Sequence, residues 1–90
     1  MIPEQTSKVD RTLRAVLADV LGLSQDRVVA FTDATGLFGE LPELDSMAVA
    51  GLLTELEDRL GIRIDDDEVE GEMMETFGAL KAFAARKALV

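Results

Sequence analysis

Val9, Leu13, Val16, Leu17, Val20 and Leu21 recur at steps of three and four residues, the spacing that gathers side chains on one face of an α-helix. A helix over about residues 7–21 is predicted, with Lys8, Arg11, Arg14 and Asp19 on its other side. Gly22 follows as a C-terminal stop, and Leu23 is placed to fold back on the last turn. A second stripe, Val49, Leu52, Leu53, Leu56 and Leu60, predicts a helix from Ser46 to about Leu60. Gly61 ends it, and Ile62 and Ile64 follow as core contacts. Thr76 is a good N-cap for a last helix that turns Phe77, Leu80, Phe83 and Ala84 inward. Lys81, Arg86 and Lys87 then lie on its outer side or in its last turn, where cations suit the helix dipole.

Between these stripes the pattern weakens. Residues 24–31 suit one helical turn. Residues 32–44 carry turn formers (Asp33, Gly36, Gly39 and Pro42) among Leu37, Phe38, Leu41 and Leu44. So long a loop in a small domain is usually functional or pinned by its own side chains, and the four apolar residues predict pinning against the core. Residues 65–72 are acidic and suit one short helix around Val69. No stretch alternates with period two. The expected fold is all-α, a small bundle of three main helices plus one short helix. It forms a single domain over residues 1–90, ordered over about 8–89, with 1–6 flexible.

Composition narrows the chemistry. At 48% hydrophobic the chain can fill a modest core. It has no Cys and no His, so it lacks a thiol nucleophile, the usual general base and the commonest zinc ligand. The N-terminus has no apolar signal core, and no stretch approaches membrane-spanning length, so a cytoplasmic protein without membrane insertion is expected. The net charge of −9 is concentrated: residues 40–75 carry thirteen acids against two arginines. Such a field repels nucleic acid and anionic membranes and attracts basic protein surfaces. Solubility alone would also account for it.

Most candidate sites fail on spacing. In the acidic run Asp65-Asp66-Asp67-Glu68-Val69-Glu70-Gly71, placing Asp66 first puts Gly71 at the sixth position of a calcium loop. The twelfth is then Phe77, where a bidentate Glu is required. Glu55, Glu57 and Asp58 fall on the exposed side of a helix with little prospect of a cleft for acid–base work. Ser46 is different. It stands where the long loop meets the second helix, and a helix cap would explain it cheaply. Yet a helix N-terminus also stabilises a phosphate through free N–H groups and the dipole. The helix behind it has a second, outward strip of Met47, Ala50 and Thr54, then Glu57 and Asp58, apolar above and acidic below. That strip suits a partner with a shallow groove and basic residues.

From about Lys8 to Leu89 the chain resembles an acyl carrier protein, or more broadly a phosphopantetheine-binding carrier domain. The resemblance rests on Leu44-Asp45-Ser46-Met47, close to the family's Asp-Ser-Leu. It continues through Leu56-Glu57-Asp58-Arg59-Leu60-Gly61-Ile62, Ile64 and the acidic segment, to Thr76-Phe77 with Leu80 and Phe83. The pieces are weak singly and specific together, in order and at family spacing. The resemblance implies a 4′-phosphopantetheine arm on Ser46, transferred from coenzyme A by a separate magnesium-dependent phosphopantetheinyl transferase. The arm's thiol would bear acyl or aminoacyl groups as thioesters, so the reactive sulfur is imported. Ser46 is then a modified residue in a protein that is not an enzyme, and no catalytic residue or metal ligand is assigned. Asp45, Met47, Ala50, Thr54, Glu57 and Asp58 would contact acyl-loading and acyl-transfer enzymes with basic docking surfaces. A monomer is expected. The bundle could also shelter a nonpolar acyl chain.

Three positions depart from the family pattern. Glu43 stands where Gly is frequent, Met47 replaces Leu, and Gly51 occupies a position that is usually acidic in fatty-acid carriers. The run from Leu41 to Ala50 looks more like stand-alone carriers associated with bacterial exosortase and exopolysaccharide loci. Two other readings stay open at this point. One is an acidic helical interaction module without a covalent cofactor, working through residues 47–58. The other is a small carboxylate-based hydrolase.

Overall fold

The computed structural model describes residues 4–89. It contains four α-helices in the order α1 (Glu4–Leu21), α2 (Gln25–Val29), α3 (Ser46–Leu60) and α4 (Phe77–Leu89). Two 3₁₀ turns, Asp66–Glu68 and Gly71–Met74, stand between α3 and α4. Among the described residues there is no strand, only one isolated bridge between Gly36 and Thr76. This is the expected bundle of three long helices and a short one. The expectation that residues 1–6 are flexible falls partly outside the described residues (1–3), and α1 begins at Glu4, three residues earlier than the apolar stripe requires. The acidic segment forms two 3₁₀ turns rather than one short helix.

Helix α1 is the hub, packing against α2, α3 and α4. Its stripe is buried through Val9, Leu13, Val16 and Leu17, while Val20 and Leu21 flank the core. From α3 the core takes Leu52 and Leu56, and from α4 it takes Phe77, Leu80, Phe83 and Ala84. Both α1 and α3 close on a glycine in the left-handed region, Gly22 at φ 68° and Gly61 at φ 64°. The next residue's N–H reaches back five positions: Leu23 to the Ala18 carbonyl at 3.0 Å and Ile62 to the Glu57 carbonyl at 3.1 Å. These are Schellman closures, and the first buries Leu23.

Phe77 ties the layers together. Its ring meets Phe31 edge-on, with centroids 5.9 Å apart at 63°, a favoured aromatic geometry. Arg14 and Lys81 lie over the same ring at 4.7 and 5.5 Å. Neither is a free outward charge, as the helical pattern alone suggested. Arg14 pairs with Asp10 at 2.7 Å and donates to the Val28 and Val29 carbonyls at the end of α2. Lys81 bridges Asp33 at 2.7 Å and Asp10 at 3.4 Å. The Arg14 guanidinium, and secondarily Lys81, holds the Asp10 carboxyl below the usual range despite its partial burial. Lys81 is raised, chiefly by Asp33.

The loop of residues 32–44 is pinned, though not by the four side chains expected. Leu37 and Leu44 are buried and Leu41 packs on the core, but Phe38 stays 43% exposed. The backbone explains why. Leu37 N–H donates to the Glu75 carbonyl and Phe38 N–H to the Met74 carbonyl, both at 2.9 Å. The two bonds hold the turn that begins at Phe38 against the end of the second 3₁₀ turn, with the Leu37 side chain inside and Phe38 outside. Phe77 N–H to Thr35 and Gly78 N–H to Asp33 complete the seam at 2.8 and 2.9 Å. A Cβ on Gly78 would lie 2.8 Å from the Asp33 carbonyl oxygen, so this close approach requires glycine.

Candidate functional site

The N-terminus of α3 is set by Asp45. Its backbone is extended and its carboxylate accepts from Ala48 N–H at 2.9 Å, which makes it the N-cap. Ser46 is therefore the first helical residue and not the cap. The reason is reach: a cap side chain bonds the N–H three positions on, and Ala48 is three from Asp45. Ser46 is exposed, and its Oγ is left without a hydrogen-bond partner among the described residues. The Val49 N–H is taken by the Asp45 carbonyl at 3.0 Å. The N–H groups of Ser46 and Met47 find no acceptor among the described residues. The helix end thus keeps two donors free beside Ser46, an arrangement that suits an anion, with the Asp45 carboxylate occupying the third.

The approach to Ser46 is held from α2. Arg27 pairs with Glu43 at 2.7 Å, and the guanidinium holds the Glu43 carboxyl below its usual value. Consecutive turns follow: Leu41 N–H to the Leu37 carbonyl at 2.8 Å and Leu44 N–H to the Leu41 carbonyl at 3.0 Å. Glu43, the residue that replaces the family's frequent glycine, thus anchors the loop outside the buried Leu44.

The strip on α3 falls into two parts. Met47 is 85% exposed, and Ala50, Thr54 and Asp58 are also exposed. Glu57 is half-buried, and its carboxylate accepts from Ile64 N–H at 2.8 Å. It therefore braces the segment after α3 rather than standing free. Thr54, Glu57 and Asp58 border a shallow open depression with Arg63, Ile64 and Asp65. A basic side chain, Arg63, stands on this otherwise acidic rim. On the far side of α3, Gly51 lies beside Val20 of α1, where an added Cβ would sit at an ordinary 3.7 Å.

The sequence pattern did not bring out Arg27 or Phe38 as neighbours of the serine. Arg27 lies on another helix, and no local spacing links it to Glu43. Phe38 carried no such signal either, since it opens the turn at residues 38–40, where no helical or strand period applies.

The family profile described as a phosphopantetheine attachment site matches residues 11–84. Among solved structures, the chain is similar to the solution structure of a holo acyl carrier protein from Nitrosomonas europaea. The two are 38% identical with a TM-score of 0.81, over 91% of this chain and 96% of that one. No curated protein matches the chain.

Proposed function

The chain belongs to the phosphopantetheine-attachment family and is an acyl carrier protein, and from that premise we propose that Ser46 is the residue that bears the arm. The observation that carries this is the free, exposed Ser46 Oγ at the first position of α3, with two unpaired N–H groups beside it. As a carrier the protein is not an enzyme. The prosthetic group supplies a thiol that holds an acyl group as a thioester, chemistry that a chain without cysteine does not provide. The Ser46 and Met47 N–H groups would hold the phosphate, while Asp45 fixes the helix end and Glu43 with Arg27 fixes the approach. The base that takes the serine proton belongs to the transferase.

Carriers of this family work with a phosphopantetheinyl transferase and acyl-handling enzymes. For this chain the contact surface is Met47, Ala50, Thr54 and Asp58, with Asp45 and Glu57 contributing charge from their structural positions. Met47 supplies an exposed apolar anchor, and the acidic residues below it speed the encounter with basic partners. Delivery of a tethered cargo needs no tight binding, because the arm supplies effective concentration. A cytoplasmic monomer is proposed, in keeping with the absence, among the described residues, of any helix long and apolar enough to cross a membrane. Gly51 and Met47 favour a stand-alone carrier of specialised cargo, such as the exopolysaccharide-associated type, over the housekeeping fatty-acid role.

Incubation with coenzyme A, magnesium and a broad-specificity transferase should add one phosphopantetheine mass, read by intact mass spectrometry. Ser46→Ala should abolish the gain. Addition that persists in this variant would place the arm elsewhere.

A further inference from the structure

Phe38 is a large apolar side chain left 43% exposed, and neither the core nor the α3 face uses it. It lines one open depression with Gly39, Leu41, Pro42, Leu44 and Ser46 itself. Its orientation is built in. Leu37 beside it is fully buried, and the Phe38 N–H is fixed on the Met74 carbonyl at 2.9 Å. Behind the depression the turns at Leu41 and Leu44 and the Arg27–Glu43 pair hold the wall. The result is a preformed apolar surface that stays wet unless something covers it.

We infer that this depression seats the first, apolar part of the chain's own phosphopantetheine arm, with Phe38 as the positioning side chain. The inference rests on Ser46 being the attachment residue. Connectivity selects the occupant, because the serine that starts the arm borders the same depression as the ring. One methylene beyond its phosphate the arm has a carbon bearing two methyl groups, before its hydroxyl, amides and terminal thiol. The apolar segment is therefore the one tethered nearest Phe38. Charge selects the orientation. Glu40 and Asp45 stand on the rim and repel the phosphate, which is drawn instead to the Ser46 and Met47 N–H groups, leaving the methyl groups to meet the ring. The same acidic rim and open shape disfavour a free anionic ligand from solution. A tethered group needs only a weak contact to populate the seat, since its effective concentration is high.

The test uses the intact protein loaded by a transferase with isotope-labelled coenzyme A. Intact mass first establishes one arm per chain, lost in Ser46→Ala. In the loaded protein the two methyl resonances should move upfield of their positions in free coenzyme A and show NOEs to the Phe38 ring. Phe38→Leu should remove the upfield shift while NOEs pass to the substituted side chain. Phe38→Ser should remove both. Val29→Ser, at an exposed apolar residue outside the depression, should change neither. Methyl resonances at their free positions without NOEs to Phe38, in a chain whose mass shows the arm, overturn the seat alone. Absence of any mass gain overturns the attachment reading and the seat with it.

Discussion

Two adjacent residues divide two jobs at the start of α3. Asp45 caps the helix through Ala48 N–H, and Ser46 keeps its hydroxyl free. Asp45→Ala should therefore cost about 1 kcal/mol of stability, the usual loss for an N-cap carboxylate, and Asp45→Asn should retain most of it. Ser46→Ala should shift stability by less than about 0.5 kcal/mol, as exposed positions without a special role do, while abolishing arm attachment. Urea unfolding and intact mass separate the two effects. A large stability loss in Ser46→Ala would show that its side chain does cap the helix. The sequence showed the Asp-Ser pair and the helix behind it. It did not show which residue was the cap, because helix ends are uncertain by a residue and both types favour the role. Glu57 misled in a similar way. Its helical position points outward, but the carboxylate bends to Ile64 N–H, a bond that depends on how the chain leaves α3.

At the scale of elements, the three long helices were legible because each has a buried stripe of matching period. The joints between them were not. Met73 and Met74 are buried yet sit in an acidic run with no periodicity, and it is the packing of their 3₁₀ turn against α4 and its bonds to Leu37 and Phe38 that place them inward. Two glycines test this distinction between helix and joint. Gly51 lies inside α3 with its prospective Cβ in ordinary contact, so Gly51→Ala should stabilise by about 1 kcal/mol through helix propensity. That glycine is then kept for the surface it leaves and not for the fold. Gly78 lies at the seam, where a Cβ would press on the Asp33 backbone at 2.8 Å. Gly78→Ala should destabilise by roughly 1–3 kcal/mol, the range for overpacking, despite alanine's better propensity. Opposite signs for the same substitution in two helices, measured by urea unfolding, would confirm that the loop before Ser46 is held by the α4 junction.

For the whole molecule the acidic excess and the ion pairs act in opposite directions. Asp10 is lowered by Arg14, and Glu68 by Lys87, which lies 2.8 Å away. A carboxyl whose folded pKa is depressed contributes stability above its unfolded pKa and loses it as pH falls through the folded value. This part of the stability should therefore be intact at neutral pH and decline below about pH 4. Lys81 is raised by Asp33, so its contribution should be complete below the ordinary lysine pKa and decline above about pH 10. Asp10→Asn should flatten the acid limb in urea midpoints measured from pH 7 to pH 3. Salt provides the complementary test. The net charge is −9, and exposed Asp65, Asp67, Glu70, Glu72 and Glu75 crowd the region after α3. The pairs that salt would weaken are mostly at the surface, where each contributes little, whereas repulsion sums over the whole acidic region. Raising ionic strength from about 0.01 to 0.5 M shortens the screening length from about 30 Å to under 10 Å, so it should raise the unfolding midpoint at pH 7. The same change should slow association with a basic transferase, because docking depends on the field that folding has to overcome. If salt lowered the midpoint as well as the association rate, the surface pairs would outweigh the repulsion, and the charge would then serve folding as well as docking.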